Sequence, residues 1–403
     1  MKFDKNYYFN KSKNFCMFPW IHMMFTPNSE MYPCCLLGDM NPFVSNVKEQ
    51  SFLELTNSKK MKELRLKMLA DEPSKYCETC YKSEKYSANS FRTSSFEYES
   101  EFENIVSSTN SDGSLDNFKM LYVDVRLSNK CNFKCRMCGS LFSSSWAEEN
   151  GNEFPIISAN KSIVNKIIEQ IPNIKVVYFA GGEPLLMNEH FILLEKIIES
   201  GRSVDIKLRY NSNMSTIKYK KKNIIDLWNQ YKEVQFYASI DHYGSRAEYI
   251  RHGTKWQVVC KNIKQLQKLS NINIDYNVTV TNFSFLTLIN FIHYMINERL
   301  FTKTTNITFT ACQNPEHFSP CVLPMSFKNK VKDKFYTEAS IWKKEGYYFA
   351  NNLYSLLDLA YSVDLWKKQK INFLNQVDSR DAIRNENLYN VFPELYGIEN
   401  QSI

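Results

Sequence analysis

Between residues 118 and 310 the chain alternates two kinds of hydrophobic pattern. Short apolar-rich runs, some alternating with polar residues, predict β-strands at Met120–Leu127, Lys175–Phe179, Asp205–Tyr210, Val234–Ile240, Ile272–Thr281 and Thr305–Thr310. Between them, apolar residues recur at helical spacing over Ser162–Gln170, His190–Ser200, Lys255–Leu269 and Phe285–Ile296. Six β/α units in succession predict a parallel sheet with right-handed crossovers. In such sheets the chemistry gathers at the C-terminal ends of the strands.

The flanks read differently. Trp20–Phe25 and Glu30–Cys34 predict a hairpin, with its turn at Pro27-Asn28. Leu53–Leu69 predicts a helix, with Met61, Leu64 and Met68 on one face; Pro73 follows and cannot continue it. Residues 93–118 are rich in Ser, Glu, Asp and Asn with little periodicity, and read as a linker. Beyond Cys321 the pattern is helical, with Leu353, Leu356, Leu357 and Ala360 on one face.

Composition narrows the function classes. The 403 residues are 43% hydrophobic and 14% aromatic, which fits packed domains rather than disorder. No run approaches the ~20 apolar residues of a membrane span. The first residues lack the apolar core of an export signal, so a cytoplasmic location is expected. Eleven cysteines in that setting point to metal rather than disulfides. The net charge is +7, but basic and acidic residues are interspersed, as on a solvated surface, and nucleic acid is not an expected partner.

The cysteines carry the chemistry. Cys131, Cys135 and Cys138 stand at C-x₃-C-x₂-C spacing on the segment leaving the first predicted strand. A structural zinc site takes four protein ligands. A [4Fe–4S] cluster has four irons, so three cysteines leave one iron open to a ligand. Nearer the N-terminus, a hairpin cysteine on each side plus Cys77-Glu-Thr-Cys80 can surround one metal centre. Cys34 and Cys35 are neighbours and point to opposite faces, so one of them joins Cys16, Cys77 and Cys80. Spacing alone leaves both zinc and iron–sulfur open there.

The triplet after a strand resembles the radical S-adenosylmethionine (SAM) superfamily. The resemblance implies a partial (β/α)₆ TIM-like barrel and a [4Fe–4S] cluster whose open iron binds SAM. It further implies reductive SAM cleavage to a 5′-deoxyadenosyl radical that takes a hydrogen atom from a substrate. Phe179-Ala-Gly-Gly-Glu-Pro184 after the second strand is similar to the segment that seats SAM's amino group, and marks Gly181, Gly182 and Glu183. Asn213 at the end of the third strand, Ser239 in Ser239-Ile-Asp241, Arg251 in Glu248-Tyr-Ile-Arg251, and Met137 complete the cofactor-binding set that the resemblance implies. Arg251 is the expected partner of SAM's carboxylate. His252 reads as a helix-end residue rather than a base.

The N-terminal stretch resembles the SPASM auxiliary-cluster domain or its shorter form, twitch. The matching residues are Phe15-Cys-Met-Phe-Pro-Trp20, Tyr32-Pro-Cys-Cys35, Met61-Lys-Glu-Leu-Arg65, Cys77-Glu-Thr-Cys-Tyr-Lys-Ser-Glu84 and Ser90-Phe-Arg92. Ser29 stands where that family has a turn glycine. Counting from it selects Cys34 as the fourth ligand beside Cys16, Cys77 and Cys80, with Cys35 a buried thiol. The resemblance implies one auxiliary [4Fe–4S] cluster. Cys260, Cys312 and Cys321 share no ligand spacing and read as structural.

The expected organisation is an α/β protein: a cysteine-rich α+β domain over 1–98, a linker over 99–118, a radical SAM core over 119–320 and a helical extension over 321–403. The expected function is a radical SAM modifying enzyme. Its substrate would be a peptide or protein, or a small sugar or alcohol. Its electron donor would be a protein such as flavodoxin or ferredoxin. The competing readings are a zinc-stabilised binding module without catalysis and an RNA-modifying radical SAM enzyme.

Overall fold

The computed structural model describes all residues except 1–3, 38–40, 46, 48–49, 86–89, 154, 159–160, 220–221 and 402–403. The chain is mixed α/β with a largely parallel sheet and a helical C-terminal region. It divides into two compact units. The first comprises Met1–Lys130, Ile156–Arg209 and Asp226–Val234; the second comprises Cys131–Pro155, Tyr210–Ile225 and Gln235–Ile403.

All six predicted strands form, at Tyr122–Val125, Val176–Phe179, Lys207–Ser212, Glu233–Ser239, Ile272–Val280 and Ile307–Ala311. The four predicted helices form at Lys161–Glu169, Asn188–Glu199, Trp256–Leu266 and Leu288–Asn297. Each buries an apolar stripe: Ile163, Val164 and Ile167 in the first, Val259, Ile263 and Leu266 in the third. Burying one such side chain contributes about 1.5–3 kcal/mol.

In the first unit, Tyr122–Val125 pairs in parallel with Val176–Phe179 on one side. On its other side it pairs in parallel with the hairpin strand His22–Phe25. Met31–Tyr32 closes the hairpin antiparallel. The expected N-terminal domain is therefore built onto the core sheet, and residues 1–98 belong to the same unit as the first two core strands. The hairpin turn closes through Thr26 and Glu30, and Ser29 sits at φ 62°. That is the left-handed region in which a glycine would carry no steric penalty.

Two expectations need correction. The single helix over Leu53–Leu69 is two helices, Phe52–Thr56 and Lys59–Leu69. Asn57 turns its side-chain amide onto the backbone of Leu115, accepting from its N–H and donating to its carbonyl, and Ser58 starts the second helix in an extended conformation. Residues 93–118 are not a linker but a packed segment. Short helical turns run to Ile105, and Phe102, Val106 and Leu115 are buried. Its polar residues hid the apolar ones because turns this short never build a stripe.

In the second unit, Ile272–Val280 and Ile307–Ala311 pair in parallel. Helix Ala350–Ser362 buries Leu353, Leu356, Leu357 and Ala360, as its pattern predicts, and Asn352 donates to the carbonyl of Ile307. The long helix Trp366–Arg384 follows. Among the described residues, no helix is long and apolar enough to cross a membrane.

Candidate metal and cofactor sites

The N-terminal site is an apolar cavity in the first unit. Cys16, Cys34, Cys77 and Cys80 line it together with Phe18, Pro19, Pro33, Leu37, Leu64, Met68, Tyr76, Phe91 and Arg92. Cys35 is not among the lining residues. Four separate pieces of local structure bring the thiols there. Cys16 precedes the helical turn Phe18–Ile21, and its thiol lies 3.6 Å from the Ser95 hydroxyl, which also accepts from the Met17 N–H. Cys34 follows the hairpin strand, and its sulfur accepts from the Leu36 N–H at 3.3 Å. Cys77 ends a 3₁₀ turn, and Cys80 lies in the helix Glu78–Ser83 that follows it.

The surrounding motif residues are braces. Arg92 forms a two-point pair with Glu84, 2.9 and 2.6 Å, and its third nitrogen donates to the Phe15 carbonyl at 2.7 Å, next to Cys16. Buried Arg65 donates to the carbonyls of Pro19 and Gly113. His22, wholly buried, holds the Pro33 carbonyl at 2.9 Å through Nδ1. A carbonyl only accepts, so Nδ1 carries the proton. Burial lowers the pKa of this ring to about 4, which keeps it neutral.

Burial pushes the Cys16 thiol up to about 12 and Cys77 to about 11, with neighbouring thiols adding to the rise. Cys34 is pushed well up, first by its bond to Cys35 and then by burial. Four thiolates could not gather in this apolar space without cations between them. The cavity and its donor set thus fit an iron–sulfur cluster. Among the described residues no three such side chains converge closely enough to ligate one ion. A cubane gives one cysteine to each iron, so its thiols stand farther apart.

The second cysteine set lies in the second unit, on the loop after Tyr122–Val125. Here the expected plain loop contains a short strand, Lys134–Cys135, paired antiparallel with Arg251–His252. This ladder sets Arg251 opposite Cys135, with Nη1 3.9 Å from its sulfur. Trp146 donates to the Cys135 carbonyl at 2.7 Å, and the hydroxyls of Ser144 and Ser145 bond the Cys131 carbonyl. The Cys138 N–H closes a turn onto Cys135. Met137 and Cys138 are half-buried. Burial pushes the Cys135 thiol up to about 12, although the guanidinium beside it acts in the other direction. A cluster would meet three thiols and one cation here.

Two glycines let backbones approach closely. At Gly182 a Cβ would lie 2.4 Å from the Lys130 carbonyl oxygen, and the next N–H, of Glu183, bonds that same carbonyl. At Gly253, with φ 106°, a Cβ would meet the Asn132 carbonyl oxygen at 2.8 Å. Gly181 takes φ 104°.

The expected SAM contacts are placed as follows. Glu183 is buried, and its carboxylate accepts from the Leu185 N–H, capping the turn Pro184–Leu186. Asn213 forms an Asx turn onto Ser215 and donates to Asn132 in the cysteine loop. Met214 takes φ 57°, in the left-handed region. Ser239 ends its strand half-buried. Arg251 presents its two-pronged edge to Asp241, at 2.8 and 3.0 Å. Burial opposes the charge on Arg251, but Asp241 outweighs it and holds the guanidinium above its ordinary value. The fork expected to grip SAM's carboxylate is thus occupied by Asp241, leaving Nη1 toward the cysteine loop. Sequence reasoning missed Asp241; its signal is a carboxylate two residues beyond Ser239, ten before Arg251. His252 lies on the short strand, two residues past the helix end, and bonds Glu386.

Comparison with known proteins agrees with this layout. The family model of the radical SAM superfamily matches residues 125–289. The SPASM model, an iron–sulfur cluster-binding domain, matches residues 16–81. No curated protein matches the chain. Similar solved structures include native anSMEcpe with bound AdoMet, at 17% identity and TM-score 0.40, covering 54% of this chain and 61% of that one. Streptococcus suis SuiB bound to precursor peptide SuiA is 15% identical at TM-score 0.39, covering 72% and 60%. TYW1 with a lysine–pyruvate adduct is 15% identical at TM-score 0.26, covering 43% and 59%. The chain thus spans about three fifths of the length of these structures. The two matched domains imply SAM and a [4Fe–4S] cluster for one and an auxiliary iron–sulfur cluster for the other. The chain thus carries a radical SAM domain over 125–289 and, on its N-terminal side, a SPASM iron–sulfur cluster-binding domain over 16–81.

Proposed function

We propose that this protein is a radical SAM enzyme that modifies a peptide or protein. A small sugar or alcohol is the second substrate class. The observation that carries the reading is the unequal pair of cysteine sets: three on the loop after the first core strand, four around an apolar cavity. Three ligands leave a cubane one open iron, and four leave none.

In this reading Cys131, Cys135 and Cys138 hold the SAM-binding cluster. Cys16, Cys34, Cys77 and Cys80 hold the auxiliary one. When bound, the first cluster and SAM supply a one-electron cleavage that yields a 5′-deoxyadenosyl radical for hydrogen abstraction. The chain's own part is binding and orientation. Gly181 and Gly182 admit the methionyl group, and Glu183 takes its ammonium. Arg251, fixed by Asp241, faces its carboxylate. Met137 lies against the base, and Asn213 and Ser239 serve the ribose. The electron donor is a protein of the flavodoxin or ferredoxin kind.

The test is anaerobic reconstitution of the full chain. It should bind about eight irons and release 5′-deoxyadenosine from SAM with a reductant. Mass spectrometry of peptides encoded by neighbouring genes then seeks the product, beginning with peptides because the SuiB structure named above holds one. Colourless protein containing zinc instead would establish the binding module.

A further inference from the structure

We propose that the turn ending the C-terminal helix sets the electrostatic environment of the SAM cluster, with Arg136, Asp381 and Glu386 as positioning residues. This rests on the assignment of Cys131, Cys135 and Cys138 as cluster ligands.

Arg136 lies between Cys135 and Met137 in the chain, and its side chain is wholly buried. Nη2 donates to Asp381 at 2.5 Å and to Glu386 at 2.6 Å, 245 and 250 residues further on. Nε donates to the Tyr249 carbonyl at 3.1 Å, and the guanidinium stacks on the Tyr249 ring at 3.6 Å. Tyr249 in turn donates its hydroxyl to Asp381 at 2.9 Å. Asn385, in the left-handed conformation at φ 51°, ends the helix and turns the chain so that Glu386 comes back to Arg136 and to His252 Nδ1, at 2.7 Å.

A second tie joins the same helix to the same loop. Glu149 pairs with Lys134 of the loop at 2.8 Å and with Arg380 and Arg384 of the helix at 3.0 and 2.9 Å. Arg380 also lies over Trp146, whose indole holds the Cys135 carbonyl.

A helix end could anchor a loop with apolar contacts alone. This one brings two carboxylates and a guanidinium into a water-poor place one residue from a cluster ligand. Charges there are weakly screened. Reduction adds an electron to the cluster, so fixed negative charge opposes it and fixed positive charge favours it; net local charge is one of the protein's levers on cluster potential. Arg136 favours the reduced state, and Asp381 and Glu386 oppose it.

The experiment is an anaerobic redox titration of the reconstituted full chain, read by electron paramagnetic resonance for both clusters. In D381N and E386Q the SAM-cluster midpoint should rise. In R136Q it should fall, and R136K should restore it toward wild type. The auxiliary-cluster midpoint should stay put in all four, with iron content at wild-type level. E386Q, the mildest change, carries the test if R136Q fails to take up iron. Shifts of one sign in both kinds of variant, or unshifted midpoints in iron-replete protein, would overturn the proposal and leave a purely structural clamp. Absence of a SAM-cluster signal from wild type itself would instead reject the ligand assignment on which it rests.

Discussion

The two cysteine sets solve opposite problems. The N-terminal set draws its thiols from four pieces of local structure into an apolar cavity, where Arg92 of the lining is already paired with Glu84. The loop set takes three thiols from eight consecutive residues, faces one of them with Arg251, and lies beside Gly253, which lets the backbones come close. A site that only stores or passes electrons gains from enclosure and full ligation. One that must admit a cofactor gains from an incomplete ligand set and a charged rim. Number of cysteines and polarity of the walls vary together here.

The sharpest way to break this contrast is to remove the open site. Changing Cys131, Cys135 and Cys138 together to Ala should reduce 5′-deoxyadenosine formation to background and iron from about eight to about four per chain. Iron assay and product chromatography read both. Continued SAM cleavage would mean the catalytic cluster lies elsewhere.

Next in size is the N-terminal site. Cys34→Ala should lose about four irons while SAM binding persists, and Cys35→Ala should keep all of them. Mössbauer spectra of the two proteins decide. A reversed result would hand the ligand role to Cys35.

Smaller effects probe the rim. Arg251→Ala should weaken SAM binding by about 1.5–3 kcal/mol, the scale of a charged hydrogen bond. Asp241→Asn should weaken it by less, since it loosens the guanidinium without removing it. Isothermal titration measures each, and wild-type affinity in Arg251→Ala would remove that residue from the cofactor site.

The smallest concerns the hairpin that carries Cys34. Ser29→Gly relieves a left-handed backbone worth roughly 1–2 kcal/mol but adds roughly 0.5–1 kcal/mol of chain entropy. The expected net is a stabilisation of about 1 kcal/mol or less, read in a denaturant melt of the apoprotein. A clear loss of stability would assign the serine hydroxyl a bond of its own.

What could be read from the sequence divides by range. The strands and helices of the β/α units follow from period-2 and period-3.6 patterns, because each element buries one face locally. Cys131, Cys135 and Cys138 stand out for the same reason: their candidacy rests on local spacing alone. The break at Asn57 was not, since it depends on Leu115, fifty-eight residues away. Nor was the pairing of Arg251 with Asp241, which needs the strand end and the short ladder to be in place. The resemblance offered Arg251 as a cofactor-side candidate but could not say that its fork is occupied. Arg136 carries no signal of its own in the sequence, because its partners lie 245 and 250 residues further on.

The parallel seating of His22–Phe25 beside Tyr122–Val125 bears on how the protein is made. A ribosome delivers all five N-terminal cysteines long before it delivers the strand against which their hairpin is laid. Pairings this distant in sequence form late, and until then the hairpin edge stays open to wrong partners. The nascent chain should hold its first cysteines in an unfinished pocket until residues past Val125 emerge. Metal loading at that pocket then belongs after that point, in a step that acts on the paired strands.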